Sequence, residues 1–411
     1  MIPILVLILG AAGLLAGLQP RFRFAGVLGA LTAFFAMVSL ALKGLRLPEI
    51  NIVSNWKPAA LFPEPLAFRI DALAWLMGLA VLTATLAVFL TGLARGGGRR
   101  LAPRGATLLI TAATLAAIFA ADLVTLAIAW AGLDLLYFLA LVALSEGDER
   151  QAVLSLGFNT AATLLVVAAA VTVTSAGGHP AFGEMPFGPR ATLLLALAAV
   201  FRLGLFPLHL GLPVEANVRQ GLGTILRLAP AAIALVLVAR LIGATPIGAA
   251  VELSSHQTLP LRPWLTVGGV AALWVGASQW WVAPDPRQGL TFFVIAQSGL
   301  ALLTGLWGGS AALAGLAAQS LALVLGGAVI FLFNGHDDQS AWHTTLPGAA
   351  VAALVGVPFL TGFTGQWALY TGLLAQGNYW VLSVSAAAQI VLVAGFLRLC
   401  FWPADEPLQA G

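Results

Sequence analysis

Thirteen apolar runs, each long enough to cross a bilayer as a helix, follow one another along this chain with little polar sequence between them. They lie at about 2–18, 24–43, 70–94, 105–121, 122–145, 151–176, 190–212, 221–242, 263–283, 288–308, 310–333, 346–371 and 378–402. Only helices and closed barrels satisfy their own backbone in hydrocarbon. The runs are continuously apolar and lack the alternation of barrel strands. With 60% hydrophobic and 9% charged residues, the chain cannot clothe a soluble domain, which carries about 25% charge. The expected fold class is an all-α polytopic membrane protein with about 13 transmembrane helices.

The connections set the topology. The longest polar interruption is 44–69, whose prolines argue against a helix; the next is 243–262, with Glu252 and His256. Arg21, Arg23, Arg95, Arg99, Arg100, Arg104, Arg150, Arg219 and Arg287 fall on one side. Lys43, Arg46, Lys57, Arg69, Arg190 and Arg262 fall on the other. The richer side is read as cytoplasmic, which puts Met1 outside and Gly411 inside, in a cell inner membrane. MIPILVLILGAAGLLAGL lacks a basic leader and a cleavage site and reads as a retained first helix. Cys400 is the sole cysteine, so neither a disulfide framework nor iron–sulfur ligation is expected.

Two interruptions echo one another. FRLGLFPLHLGLP breaks one run around Pro207, and VGVPFLTGFTGQW breaks another around Pro358. Each comes late in a group of five runs, 105–242 and 263–402, after an N-terminal three-helix segment, 1–104. Five is odd, so such groups lie in opposite orientations, the inverted-repeat architecture of many transporters with discontinuous helices. Taken singly, each break also reads as an ordinary proline kink.

Ionisable groups at membrane depth are few: Asp134, Arg202, His209 and Arg227, with Arg240 and Arg398 nearer helix ends. An Arg mid-helix costs about 3 kcal/mol on insertion scales. Asp134 reads as a protonatable relay group, or as half of a structural ion pair. Arg202 stays charged, so it attracts anions or tunes a carboxylate but shuttles no proton. His209 titrates near neutrality and suits a relay, a gate, or a bond to a freed carbonyl. Arg227, three residues before Pro230, is a second tuning charge or a partner for Asp134.

Ser155, Asn159, Ser278, Gln279, Gln297, Ser298, Gln319, Ser320 and Gln366 also fall within apolar runs. Such groups order water or bind helices together at about 0.6 kcal/mol each. The run NGHDDQSAWH holds His336, Asp337, Asp338 and His343 in a spacing that matches no standard metal site. No phosphate loop, nucleophile–base pair or haem-type His pair is present, so no catalytic redox site, cofactor or metal is expected in this chain.

These residues carry a resemblance to the antiporter-like, proton-translocating membrane subunits of respiratory complex I, nearest the bacterial N-type subunit. Subunits of Mrp antiporters and membrane-bound hydrogenases share the superfamily. FRIDALAWLMGLAVL (68–82) resembles the family's third helix, and DLVTLAIAWAGLDLLYFLALVAL (122–144) its fifth. Asp134 stands where the N-type subunit has Glu in L-E-L-L-S-L; in the L- and M-type register the position is Ala131. FRLGLFPLHLGLPVEA (201–216) resembles F-K-x-x-x-x-P-F-H-x-W-L-P-D. GASQWWVAPDPRQGLTFFVIAQSGLALL (276–303) and VGVPFLTGFTGQWALY (355–370) resemble the motifs of the tenth and twelfth helices. The family relay uses a buried Glu and buried lysines. Here those lysine positions hold Ser155, Arg202 and Gln366, with Arg227 near a fourth, and a family His becomes Gln297. The two lysines of the chain, Lys43 and Lys57, are in loop regions.

The resemblance implies a membrane subunit of a complex I-related, NADH-quinone oxidoreductase-type ion-translocating assembly. Its partners would be other membrane subunits, the lipid bilayer and, through them, quinone-reducing or hydrogenase-type peripheral subunits; no nucleic acid is expected. Asp134, Arg202, Arg227 and His209 would carry the first half of a proton route, and water held by Gln297, Gln319 and Gln366 the second. The alternatives are a homologue recruited to ion-coupled inorganic-carbon uptake and a non-conducting structural spacer.

Overall fold

A computed structural model of the chain describes residues 2–16, 25–53, 65–94, 102–144, 149–183, 187–205, 208, 220–244, 261–283, 286–333 and 341–401. The helices of its first half are α1 (Ile2–Ala16), α2 (Ala25–Lys43), α3 (Ala72–Ala94), α4 (Ala102–Phe119), α5 (Leu123–Leu144), α6 (Glu149–Ser175), α7 (Pro189–Leu203) and α8 (Gln220–Ala244). Those of the second half are α9 (Leu261–Val282), α10 (Pro286–Trp307), α11 (Ala312–Leu321), α12 (Gly327–Phe333), α13 (Ala341–Val355), α14 (Thr361–Ala375) and α15 (Tyr379–Phe401). Among the described residues, eight helices are long and apolar enough to cross a membrane. The chain is a multi-pass membrane protein.

Neighbours repeat between the two halves. α4 packs on α5 and α8, α5 on α6, and α6 on α7; α9 packs on α10 and α15, α10 on α11, and α11 on α14. α8 touches α3, α4 and α7 on one side and α10, α11 and α12 on the other. α8 and α10 are buried nearly all round, as their apolar sequence on every face requires. They form the centre of the bundle.

Where α9 and α10 cross, glycine makes the room. A Cβ on Gly299 of α10 would lie 2.7 Å from the Gly269 carbonyl oxygen and 2.9 Å from the Leu273 nitrogen of α9. On α9, a Cβ on Gly276 would meet the Ala296 nitrogen and the Phe292 oxygen, both at 2.7 Å. Small residues at such contacts let two backbones meet where lipid supplies no hydrophobic drive.

Helix ends are closed by charged side chains. Asp71 Oδ1 accepts the Ala74 N–H at 2.8 Å, capping α3. Asp122 caps α5: Oδ1 accepts the Thr125 N–H at 2.7 Å, and Oδ2 accepts the Thr125 hydroxyl at 2.6 Å. These caps satisfy donors that a helix start leaves orphaned. Burial pushes the Asp122 carboxyl above its usual range, opposed by the bonds from Thr125 and Ala67. At the far end of α4, Arg240 donates to the carbonyls of Ala120 and Ile118.

The long polar connection adds one small feature to the helical bundle. Within 44–69, β1 (Glu49–Val53) pairs antiparallel with β2 (Leu66–Ile70), Glu49 opposite Ile70 and Val53 opposite Leu66. The period-two signal is short, E-I-N-I, and it is easily overlooked beside long apolar runs. Lys43 Nζ, at the end of α2, donates to Glu49 Oε1 at 2.6 Å and ties the hairpin to the bundle.

Glycines end the helices at both breaks. α7 stops at Gly204 (φ 60), not at a proline. The Leu205 N–H reaches back to the Val200 carbonyl at 3.3 Å. α13 ends at Val355, three residues before Pro358, with Gly356 at φ 83 and the Val357 N–H on the Ala352 carbonyl at 2.9 Å. Both are left-handed glycine ends with a six-residue backbone bond. A proline downstream only keeps the helix from resuming. Pro207 itself lies outside the described residues. The run at 310–333 holds a different irregularity: between α11 and α12, Ala322–Gly326 is wound as a π-helix.

Gly299→Ala should cost about 1–3 kcal/mol by overpacking, read as a lower midpoint of thermal unfolding in detergent; Gly92→Ala, with open space around its Cβ, should not. The Glu49 carboxyl is held below its usual range, first by the hydrogen bond from Lys43. Its folded value lies under its unfolded one, so its contribution is present above the unfolded value and lost as pH falls through the folded one. Hydrogen exchange should therefore show the β1–β2 hairpin loosening below about pH 4, by no more than about 1 kcal/mol for so exposed a pair.

Candidate ion-path site

Asp134 sits midway along α5, and Arg202 lies two residues before Gly204, in the last turn of α7. A cation there faces the negative end of a helix dipole whose last carbonyls have no helical partners. Arg202 donates through Nη1 to Asp134 Oδ1, and both side chains are almost wholly buried. Thr163 on α6 gives its hydroxyl to Asp134 Oδ2 at 2.7 Å. The Arg202 guanidinium carbon lies 4.7 Å from the centre of the Trp130 ring, one turn before Asp134. The carboxylate thus has a partner on each oxygen.

Asp134 pairs with Arg202 and not with Arg227. Arg227, on α8, lies with its guanidinium carbon 5.2 Å from the Phe331 ring of α12. Beside the pair, Ser155 and Asn159 share the Thr163 face of α6, with Asn159 Nδ2 3.4 Å from Ser155 Oγ. Residues 155, 159 and 163 step by one helical turn, and so do Trp130 and Asp134 on α5. Thr163, Trp130 and Tyr137 are missed by a search for charges, although that four-residue spacing was there to find them.

The corresponding helices of the second half carry amides instead. Gln297 lies eleven residues after the first residue of α10, as Asp134 does after the first residue of α5. Gln319 of α11 donates to Gln297 Oε1 at 2.6 Å. Gln297 Nε2 and Gln366 Nε2, the latter from α14, converge on the Leu354 carbonyl at 3.3 and 3.2 Å. That carbonyl belongs to the last turn of α13. All three glutamines are buried, and they close a broken helix end that would otherwise leave acceptors unmet.

Of the other expected residues, Ser298 and Ser320 are buried, whereas Gln279 faces outward and Ser278 is only half-buried. His209 lies outside the described residues, as do His336, Asp337 and Asp338. Among the described residues no cluster of three metal-ligating side chains occurs.

No protein-family model matches the chain. Over 69 residues, 15% of the chain, it is 32% identical to NADH-quinone oxidoreductase subunit N of Hirschia baltica, a segment covering 14% of that protein. A chain of the Mrp complex from Dietzia sp. DQ12-45-1b superposes with a TM-score of 0.84 at 21% identity. All of this chain is covered, and 48% of that one. A chain of respiratory complex I from Thermus thermophilus gives a TM-score of 0.76 at 22% identity, covering 100% of this chain and 89% of that one. A chain of the archaeal membrane-bound sulfane sulfur reductase gives 0.80 at 16%, covering 97% and 69%.

The chain has the fold of the antiporter-like membrane subunits. It spans about half the length of the Mrp chain it matches. Within this fold, the buried acid–base pair lies on α5 and α7, and the amide group on α10, α11 and α14.

Removing one partner of a buried ion pair strands the other charge. Asp134→Ala or Arg202→Ala should each cost about 3–5 kcal/mol, while Asp134→Leu with Arg202→Met should be close to neutral. Thermal unfolding of the three variants in one detergent checks this. Equal losses in all three would mean that the pair is not the source of the stabilisation.

Proposed function

We propose that the chain is an antiporter-like membrane subunit of a complex I-related, ion-translocating respiratory assembly in a cell inner membrane. The observation that carries this reading is a titratable carboxylate, Asp134, buried and paired with Arg202 at the end of a broken helix. Intramembrane acids are costly, and they mark ion paths by default. The antiporter-like fold supports it further. Two inverted five-helix units, 105–242 and 263–402, follow an N-terminal segment, 1–104, with the N-terminus outside and the C-terminus cytoplasmic. Its partners are other membrane subunits of the same complex, and electron transfer belongs to peripheral ones.

In this reading Asp134 takes and releases the proton, because Arg202 cannot. Arg202 is the partner from which the carboxylate must part, and Arg227 with His209 extends the line of charge. Gln297, Gln319 and Gln366 make up the uncharged part. Amides do not titrate, so that half supports proton movement only through the water it orders.

Those amide bonds also favour a second reading. Each glutamine of the trio is engaged with another or with the Leu354 carbonyl, as expected of a non-conducting spacer that keeps its neighbours in register. Proton flux by the assembly in proteoliposomes separates the two. In the conducting reading, Asp134→Asn lowers flux at least tenfold while assembly is retained. Unchanged flux would remove Asp134 from the path and leave the spacer. Copurification of a soluble zinc-bearing partner in place of redox subunits would instead favour recruitment to inorganic-carbon uptake.

A further inference from the structure

The break between α13 and α14 lies at the middle of the bundle's depth: Gln297, halfway along α10, reaches the Leu354 carbonyl in the last turn of α13. Its inner side is sealed, because Gln366 folds under Gly356, where even a Cβ would collide with its amide. Its outer side is bare. Phe359 is fully exposed, and its backbone is left-handed at φ 73, a conformation that a bulky side chain rarely takes. Among the described residues its N–H meets no backbone carbonyl. Thr361 and Thr364, in the first turn of α14, are also exposed, and among the described residues their hydroxyls make no hydrogen bond. Other outward hydroxyls behave differently. Thr83 and Ser383 each donate to the carbonyl four residues earlier, at 2.8 Å. For Thr361 and Thr364 those carbonyls, of Val357 and Leu360, are already taken by the Leu360 and Phe363 N–H groups.

We infer that this outer face of the break is where a transmembrane helix of a neighbouring membrane subunit docks, bringing hydrogen-bond acceptors opposite Phe359 and the two threonines. Lipid is the wrong cover, because irregular backbone at membrane depth is tolerated only against protein or a water-filled cavity. The exposed Leu360, Thr364, Trp367 and Leu374 recur at three, four and seven residues, so they form one stripe along α14 against which a partner helix can lie. The outer face of α9 is the contrast. Its exposed Trp264 and Trp281 stand about 26 Å apart along the helix, close to the hydrocarbon thickness of about 30 Å. That is the spacing of an aromatic belt at two lipid interfaces. Between them, Ser278 gives its hydroxyl to the Trp274 carbonyl, so the face shows lipid no unmet hydroxyl there. The inference rests on the reading of the chain as one subunit of a membrane assembly, and it places a neighbour against the second, uncharged break.

Photocrosslinking in the purified assembly tests the surface. Benzoylphenylalanine replaces Phe359, Trp367 or, as the lipid-facing control, Trp274, and the products are sequenced by mass spectrometry. The first two should link to one membrane-spanning segment of another subunit, and the third to lipid alone. Links from positions 359 and 367 to lipid alone, or to a second copy of this chain, overturn the inference. Thr361→Val combined with Thr364→Val gives a second readout. Retention of the neighbour through a detergent titration should fall about sevenfold, the worth of two interhelical hydrogen bonds in a membrane. The thermal midpoint of the full chain without partners should stay at its wild-type value, because both residues are exposed. Unchanged retention overturns the inference. If the chain purifies with no other membrane subunit, the assembly reading falls with it; if the assembly is intact and position 359 labels only lipid, the docking surface falls alone.

Discussion

A helix that stops inside an apolar bundle leaves carbonyls with no water to take them, and this requirement organises both halves of the protein. α7 and α13 end in the same way, on a left-handed glycine with a bond back across six residues. What differs is the side-chain chemistry brought to each end. At the first, a guanidinium sits in the last turn and is neutralised by a carboxylate on α5. At the second, two amides converge on one carbonyl and a third braces them. One solution is charged and titratable; the other is neutral. The two broken ends therefore differ in chemistry: one carries a carboxylate, the other amides.

The surroundings of the first site fit that chemistry. Thr163 and Arg202 occupy both oxygens of Asp134, and Trp130 backs the guanidinium. A buried pair of this kind contributes little net stability compared with apolar residues of the same shape, yet losing one partner is expensive. α8, buried on every side, lies between the halves and brings Arg227 near the same region.

Several features were legible in the residues alone and others were not. The pairing partner of Asp134 was open between Arg202 and Arg227, because spacing along the chain does not say which helices touch. The prolines marked the regions of the breaks, and Gly204 and Gly356 end the helices there, since glycine takes the left-handed backbone cheaply. The β1–β2 hairpin was hidden in a loop whose alternation lasts only a few residues. Thr163 and Tyr137 drew no notice as ordinary polar residues, although each lies one turn from a residue that did.

The sequence by itself determined the class. Runs of this length and apolarity have no fold outside a bilayer, and the rarity of buried charge singled out Asp134, Arg202 and Arg227 before any packing was known. Tertiary structure decided which of those charges met, and that the glutamines spend their amides on one another and on Leu354. The reason is physical. Hydropathy is a property of each segment and survives in one dimension, whereas pairing arises between helices far apart in the chain and is set only when those helices pack.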